Sequence, residues 1–143
     1  MGSNPLVGVW KLLVIEFRSE GEVYYPFGRE AKGVLIFEAG GWASTQIMRA
    51  GRATFVSGDQ GRGSPEEVRD AVEGYVAHAG PYTADERHGI LSLEIVCSLF
   101  PNWVGTVQKR FYRLDGNRLI VGTPPLILGS RMTDVMLIWE RVS

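Results

Sequence analysis

Short runs of alternating apolar and polar residues recur along the chain, separated by turns rich in Gly, Pro and Asp. The first long run, residues 6–18, and the last, residues 131–141, are candidates for two long strands. Runs repeating at roughly ten-residue spacing are typical of all-β barrels and sandwiches. If the two terminal runs pair, the sheet has no free edge. The pattern therefore predicts an all-β fold with one helix, a closed antiparallel up-and-down β-barrel of about eight to ten strands.

Glycine-rich turns divide the predicted strands. The segments Ala39-Gly40-Gly41 and Asp115-Gly116 predict hairpins, because glycine readily adopts the positive φ angles of tight turns. Residues 50–63 contain four glycines and predict a long, mobile loop. The remaining strands are predicted at 22–27, 32–38, 42–49, 82–84, 89–97, 104–114 and 117–123.

One helix is predicted, beginning in the segment Ser64-Pro65-Glu66-Glu67. This segment combines an N-cap hydroxyl, a first-turn proline and a capping-box glutamate. Apolar residues then recur at helical spacing as far as Ala79, and Gly80-Pro81 predicts the end of the helix. The apolar stripe predicts that the helix packs on the barrel wall or at the barrel mouth.

Composition narrows the class of protein. The 143 residues predict a single domain, 1–143, and the net charge of −1 comes from 15 basic and 16 acidic residues spread along the chain. That balance argues against a nucleic-acid partner or an anionic membrane. No apolar run reaches the roughly 18 residues of a membrane span, and residues 1–5 lack the apolar core of a signal peptide. We therefore expect a soluble, cytoplasmic protein.

Five segments of the chain form a recognisable set: Leu6-Val7-Gly8-Val9-Trp10, Tyr25-Pro26-Phe27-Gly28, Lys32-Gly33, Gln46-Ile47-Met48-Arg49 and residues 98–106. The most specific of them lies around Pro101-Asn102-Trp103. Together these segments resemble the small lipocalin-like domain family of bacteria and fungi. The resemblance implies a calycin-type barrel with an internal cavity, in a family whose similar barrels serve as carriers or as cofactor-free cyclases. In that family, histidine is common in the strand before Ser98, where this chain has Leu91, Leu93 and Glu94.

Charge alternation predicts which side chains face inward. With Lys109 and Arg113 in water, Gln108, Arg110 and Tyr112 point into the barrel. The same reasoning turns Trp10, Leu12, Val14 and Glu16 inward on the first strand, and Thr133, Val135, Leu137, Trp139 and Arg141 inward on the last. It leaves Val9, Leu13, Ile15 and Phe17 outside, beside Met132, Met136 and Ile138. This apolar outer face predicts cover by the helix or by a second subunit in a homodimer.

The inward polar residues are candidates for chemistry. Arg110 and Tyr112 could hold a ligand carboxylate or polarise a carbonyl, which makes them the candidate catalytic residues. Alternatively, Arg110 pairs internally with Glu16 or Glu94, because an unpaired buried charge is unfavourable. Trp10 and Arg141 resemble the pair that stacks at the closed end of lipocalin barrels. The predicted substrate-binding residues are Trp42, Gln46, Met48, Tyr75, Tyr82, Leu93, Trp103, Gln108, Val135 and Leu137.

Other chemistries lack a motif. His78 falls near the predicted helix end and His88 in a turn, and neither is placed beside Cys97 or a serine. The spacings predict no metal site and no cofactor, and Cys97 is expected to be a small buried hydrophobe. Two hypotheses remain for a bulky apolar small molecule. The favoured one is a cofactor-independent, pericyclase-like cyclase or isomerase that acts on a polyketide or polyene-like substrate in natural-product biosynthesis. The alternative is a non-catalytic intracellular carrier.

Overall fold

The computed structural model describes residues 4–143. Residues 1–3, on which the expected lack of a signal peptide partly rests, lie outside the described residues. The described chain is mostly β, with one α-helix and one short 3₁₀ turn. In order, its elements are β1 Gly8–Ser19, β2 Glu22–Tyr24, β3 Lys32–Phe37, β4 Trp42–Met48, α1 Pro65–Glu73, β5 Tyr75–Asp85, β6 Ile90–Glu94, β7 Cys97–Ser98, the 3₁₀ turn Pro101–Trp103, β8 Val107–Asp115, β9 Arg118–Gly122, β10 Leu126–Leu128 and β11 Arg131–Arg141.

Eight antiparallel strands close into a barrel. Their order around the ring is β1, β3, β4, β5, β6, β8, β9 and β11, and β11 pairs back onto β1. That closing ladder runs from Trp10 opposite Arg141 to Arg18 opposite Asp134. The short strands β2, β7 and β10 pair with β1, β5 and β11 respectively. The closed antiparallel barrel expected from the sequence is confirmed.

A β-bulge interrupts β1 and reverses the predicted facing of its second half. The register with β11 shifts between Leu12 and Val14. The extra residue of a bulge turns the following side chains to the opposite face. Ile15 and Phe17 therefore line the interior, whereas Glu16 lies outside and contacts Arg18. The predictions that Val14 and Glu16 face inward, and that Ile15 and Phe17 face outward, are wrong for this reason.

The helix is shorter than its apolar pattern predicts. It begins as expected, with the Ser64 hydroxyl and the Glu67 side chain completing a capping box, but it ends at Glu73, and Gly74 caps it. From Tyr75 onward the chain forms β5, which pairs with β4 along its first half. Tertiary strand pairing overrides helix propensity here.

The glycine at the predicted helix end has a different role from the one expected. A Cβ atom at Gly80 would lie 1.8 Å from the carbonyl oxygen of Glu94. Gly80 therefore allows two backbone segments to approach closely within the sheet, instead of ending a helix.

Side chains from the segment that follows β4 hold α1 in place. Arg49 forms a salt bridge with Asp70, and Arg52 donates a hydrogen bond of 3.0 Å to the carbonyl of Ala71. Glu73, the last residue of α1, lies beside the open end of the barrel interior. The helix therefore packs at the barrel mouth, one of the two positions that the sequence predicts.

A compact cluster seals the opposite end of the barrel. Trp10 is fully buried, and its indole N–H donates a 2.9 Å hydrogen bond to the carbonyl of Leu6. The Arg141 guanidinium carbon lies 4.2 Å from the centre of the Trp10 ring. Arg141 also donates to the carbonyls of Val7, at 3.0 Å, and of Pro5. The stacked pair expected from the family resemblance is present and closes the barrel.

We expect Arg141→Met to lower the free energy of unfolding by about 2 to 3 kcal/mol, because it removes a cation–π contact and charged hydrogen bonds to backbone carbonyls. Urea denaturation measures the loss. The control is Lys11→Met, which removes an exposed ion pair of 3.4 Å with Glu140 on the outside of the same strand pair. It should lose under about 1 kcal/mol. Equal losses in the two variants would contradict a closing role for Arg141.

Candidate ligand-binding site

The barrel encloses a cavity of about 400 Å³. Its wall is largely apolar, with contributions from Phe27, Leu35, Ile47, Leu93, Val135 and Leu137. Tyr75, at the start of β5, and Leu126 and Leu128 of β10 also contact it. These residues lie at the strand ends farthest from Trp10, so the mouth lies opposite the sealed end.

Polar side chains meet the cavity mainly on one side. The indole ring of Trp103 lies close to both His78 and Arg110. Its centre is 5.6 Å from the centre of the His78 ring and 5.5 Å from the guanidinium carbon of Arg110. Phe100 packs edge-on against Trp103 at 5.9 Å. Trp103 belongs to the 3₁₀ turn, whereas His78 and Arg110 come from β5 and β8. Three separate segments thus bring nitrogen-bearing side chains together beside an apolar space.

The alternation of β8 places Arg110 at the cavity. Every second residue of this strand is exposed, and the residues between them are partly buried. Gln108, Arg110 and Tyr112 occupy the partly buried positions, as the charge pattern predicts. Of the three, Arg110 contacts the cavity. Gln108 instead donates a 2.8 Å hydrogen bond to the hydroxyl of Thr106.

Burial changes the protonation of this cluster. It lowers the pKa of His78 to about 4, with a smaller contribution from the nearby positive charge of Arg110. Burial also lowers the pKa of Arg110 to about 10, so the guanidinium stays protonated near neutral pH. A permanent cation and a neutral imidazole therefore face the cavity together.

Neither internal partner predicted for Arg110 reaches it. Glu16 is turned outside by the bulge and accepts hydrogen bonds from Arg18 at 3.2 Å and Tyr25 at 3.1 Å. Glu94 is exposed at the end of β6. Among residues 4–143, Arg110 forms no salt bridge. The expected internal ion pair is absent from this part of the chain.

Half of the residues singled out from the sequence meet at the cavity. They are Tyr75, Leu93, Trp103, Arg110, Val135 and Leu137. Those on β6, β8 and β11 have the facing that simple alternation gives. Tyr75 borders the mouth of the cavity, but its hydroxyl hydrogen-bonds to Gln46 on the outer face of β4, so its side chain points away from the interior.

Three candidates on β4 point away from the cavity. Trp42 is 49% exposed, and Gln46 and Met48 share its face of the strand. The alternate residues Thr45 and Ile47 contact the cavity instead. Side chains alternate strictly along a strand, so a shift of one position in the predicted facing exchanges the two sets.

Two aromatic candidates lie deeper, outside the cavity lining. Tyr82 is buried near the sealed end, 4.8 Å from the ring of Phe37, and its hydroxyl accepts a 2.8 Å hydrogen bond from Asn4. The hydroxyl of Tyr112 is enclosed without a partner among the described residues. Burial, reinforced by the nearby carboxylates of Glu86 and Asp85, raises the pKa of Tyr112.

Sequence reasoning missed His78 and misjudged Cys97. Because the apolar pattern extends the predicted helix to Ala79, it places His78 at a helix end, whereas the structure places His78 in a strand that faces the cavity. The Gly74 cap is the local signal that could have shortened the helix. Cys97 is exposed, so the expectation that it is a buried hydrophobe is wrong. It lies at the start of β7, where that short strand pairs with Ala79 of β5.

Residues 4–143 contain neither a candidate membrane-spanning helix nor a candidate metal centre. Within residues 4–143, no helix is both long enough and apolar enough to span a lipid bilayer. In the same residues, no group of three His, Cys, Asp or Glu side chains has the arrangement needed to hold a metal ion.

A closed antiparallel barrel with an apolar internal cavity and a few hydrogen-bonding groups defines the class of calycin-like barrels. The comparisons with known proteins identify the family within that class. The model of the lipocalin-like domain matches residues 7–142, and the chain belongs to this family. A 4'-hydroxy-3'-methoxypropiophenone carrier protein of Aspergillus oryzae is 27% identical over 106 residues, which cover 69% of this chain and 96% of that protein. No solved structure matches the chain significantly.

The low pKa of His78 predicts that stability depends on pH. A histidine whose pKa is lower in the folded protein than in the unfolded chain stabilises the fold above its ordinary pKa of 6.5, and this stabilisation is lost as the pH falls towards about 4. We expect the free energy of unfolding to be about 2 kcal/mol lower near pH 5 than near pH 7.5. Urea denaturation at the two pH values measures the difference.

The variant His78→Gln should remove most of this difference, because glutamine does not titrate. The control is His88→Gln, which changes the other histidine, exposed in the turn after β5. It should keep the dependence. If the wild type and His78→Gln lose the same stability on acidification, burial of a neutral His78 is not its cause.

Proposed function

We propose that this protein is a carrier that encloses a compact, mostly apolar small molecule in its barrel. The cavity is the observation that carries the proposal. Its volume of about 400 Å³ lies near the lower end of ligand sites, which span about 300 to 1,000 Å³. Its largely apolar wall favours a hydrophobic body, and the side formed by His78, Trp103 and Arg110 favours a polar group at one point of the ligand.

The name of the similar Aspergillus protein supports this kind of ligand. That protein is named for carrying an aromatic ketone with a hydroxyl and a methoxy group. A molecule of this type has one flat apolar ring, suited to the aromatic and aliphatic wall near Phe27 and Leu93. Its ketone or hydroxyl oxygen can accept hydrogen bonds from Arg110. We therefore propose oxygenated aromatic compounds of this size as the first ligands to examine.

Burial of the ligand's apolar surface supplies most of the affinity in this proposal. Small ligands gain between about 0.3 and 1.5 kcal/mol for each non-hydrogen atom, which is consistent with dissociation constants in the micromolar range. Such an affinity lets a carrier both take up and release its cargo.

For its setting, we propose the cytoplasm and a homodimer. The balanced composition and single cysteine are compatible with a reducing compartment. On the outer surface near the β1–β11 seam, Met132 is 61% exposed, and Val34 and Ile36 of the adjoining strand β3 are 45% and 40% exposed. Sedimentation equilibrium tests the dimer, and a monomer at high protein concentration contradicts it.

We expect the purified protein to bind 4'-hydroxy-3'-methoxypropiophenone with a stoichiometry of one and a dissociation constant of about 1 to 100 µM. Isothermal titration calorimetry measures both. Ile47→Trp should weaken binding at least about tenfold, because the larger side chain fills part of the cavity. The control Ile36→Trp makes the same exchange on the outer face of β3 and should bind as the wild type does. Equal binding by all three proteins would place the ligand outside the cavity.

A second function, a cofactor-independent cyclase or isomerase, is favoured by one observation. The protonated Arg110 lies beside an apolar cavity, where a cation can stabilise negative charge that develops on a carbonyl oxygen. The cavity could also hold a flexible polyketide or polyene-like chain in a reactive shape. Tyr112, the other candidate catalytic residue, has its hydroxyl outside the lining, so the proposed donor is Arg110.

Incubation of a candidate linear precursor separates the two functions. A cyclase should form product faster than buffer does, and Arg110→Leu should slow it about a hundredfold. Tyr112→Phe serves as the control and should keep the wild-type rate. Product formation at the buffer rate in the presence of wild-type protein rejects catalysis for that precursor and leaves the carrier.

A further inference from the structure

Arg110 is unusual among the partly buried arginines of this protein. Arg49 forms a salt bridge with Asp70, Arg52 donates to the carbonyl of Ala71, and Arg141 donates to the carbonyls of Val7 and Pro5. Each of these three arginines thus bonds to oxygen atoms of another segment. Arg110 makes no such bond within residues 4–143. Its one hydrogen bond there is donated to the carbonyl of the adjacent Lys109, at 2.9 Å.

Most of the donors of Arg110 are therefore free, and they are not sealed inside the protein. A guanidinium group carries several N–H donors arranged in a plane. Among the buried and partly buried side chains of residues 4–143, two nitrogen or oxygen atoms are fully enclosed and have no hydrogen-bond partner. They are Arg52 Nε and Tyr112 Oη. The unused Arg110 nitrogens are not among them. They consequently remain accessible, on a residue that contacts the cavity.

No acidic side chain of residues 4–143 pairs with the Arg110 charge. The cavity lining contains one other charged residue, Glu73 at the mouth, and its carboxylate is already paired with Arg69 at 3.1 Å. The neighbouring rings of His78 and Trp103 have nitrogens but no negative charge. None of the three ring nitrogens of these two side chains makes a hydrogen bond to residues 4–143. An acidic group on a ligand can therefore pair with this cation without displacing a carboxylate of the protein.

We infer that the cavity selects ligands that combine an apolar body with an acidic group, a carboxylate, phenolate or sulfonate, whose oxygens contact Arg110 and are flanked by Trp103 and His78. This inference rests on the proposed function, since it requires a ligand inside the barrel. It specifies that the ligand is negatively charged, and it makes Arg110 the residue that determines specificity. The planar guanidinium can donate two parallel hydrogen bonds to such oxygens.

Two fluorescent probes with the same ring system test this inference. Anilinonaphthalene sulfonate carries an acidic group, and phenylnaphthylamine is the same aromatic framework without it. We expect the wild type to bind the sulfonate more tightly than the neutral probe. Arg110→Met should weaken sulfonate binding about 10- to 100-fold and change binding of the neutral probe by less than about threefold. Fluorescence titration measures all four dissociation constants.

The matched control is Lys109→Met. It removes the same charge from the neighbouring position of β8, where the side chain points to solvent. It should change sulfonate binding by less than about twofold, which separates a contact in the cavity from a general effect of net charge. Arg110→Lys keeps a cation on the wall and should retain part of the preference. This variant keeps the inference testable if Arg110→Met does not fold, as judged by circular dichroism.

The outcomes distinguish this inference from the proposed function. Ile47→Trp, which fills the cavity, should weaken both probes if they bind inside. If neither probe binds the wild type, or if Ile47→Trp leaves the binding of both probes unchanged, the carrier proposal fails. The inference then fails with it. If the neutral probe binds in the cavity as well as the sulfonate does, or if Arg110→Met weakens both equally, the carrier proposal stands and anion selection by Arg110 is wrong.

Discussion

The pairing of β1 with β11 is the constraint on which the structure depends. It joins the two ends of the chain along most of both strands, from Trp10 opposite Arg141 to Arg18 opposite Asp134. Without it, the meander between them would be an open sheet with two free edges and no interior. The same pairing carries Arg141 to the face of Trp10 and so seals one end. A barrel closed around its side and at one end leaves a cavity that can be reached from the other end.

The bulge in β1 connects this closure to the chemistry of the cavity. A regular β1 would have turned Glu16 towards the interior, as its alternation predicts, where its carboxylate could compensate a buried cation. The shift between Leu12 and Val14 instead brings Ile15 and Phe17 inside and leaves Glu16 with Arg18. The cavity therefore gains apolar wall and loses an acid.

The sequence was informative where charge marks one face of a strand. Lys109 and Arg113 identify the solvent side of β8, and the alternation around Val135 and Leu137 does the same for β11, so both facings were predicted correctly. On β4 no charged residue marks the solvent side, and the predicted facing of Trp42 is wrong. Bulges and helix ends depend on contacts between distant segments. Local patterns contain little information about them.

The end of α1 shows how such a distant contact creates the polar side of the cavity. The apolar residues after Gly74 fit a helix and fit a strand equally well, and pairing with β4 selects the strand. As a strand, this segment turns His78 towards the interior and offers an edge to β7, which places Ser98 opposite His78. The chain leaving β7 then forms the 3₁₀ turn that brings Trp103 against the His78 ring. A longer helix would have removed both the histidine and the surface on which Trp103 packs, so the stop at Gly74 is needed for the arrangement around Arg110.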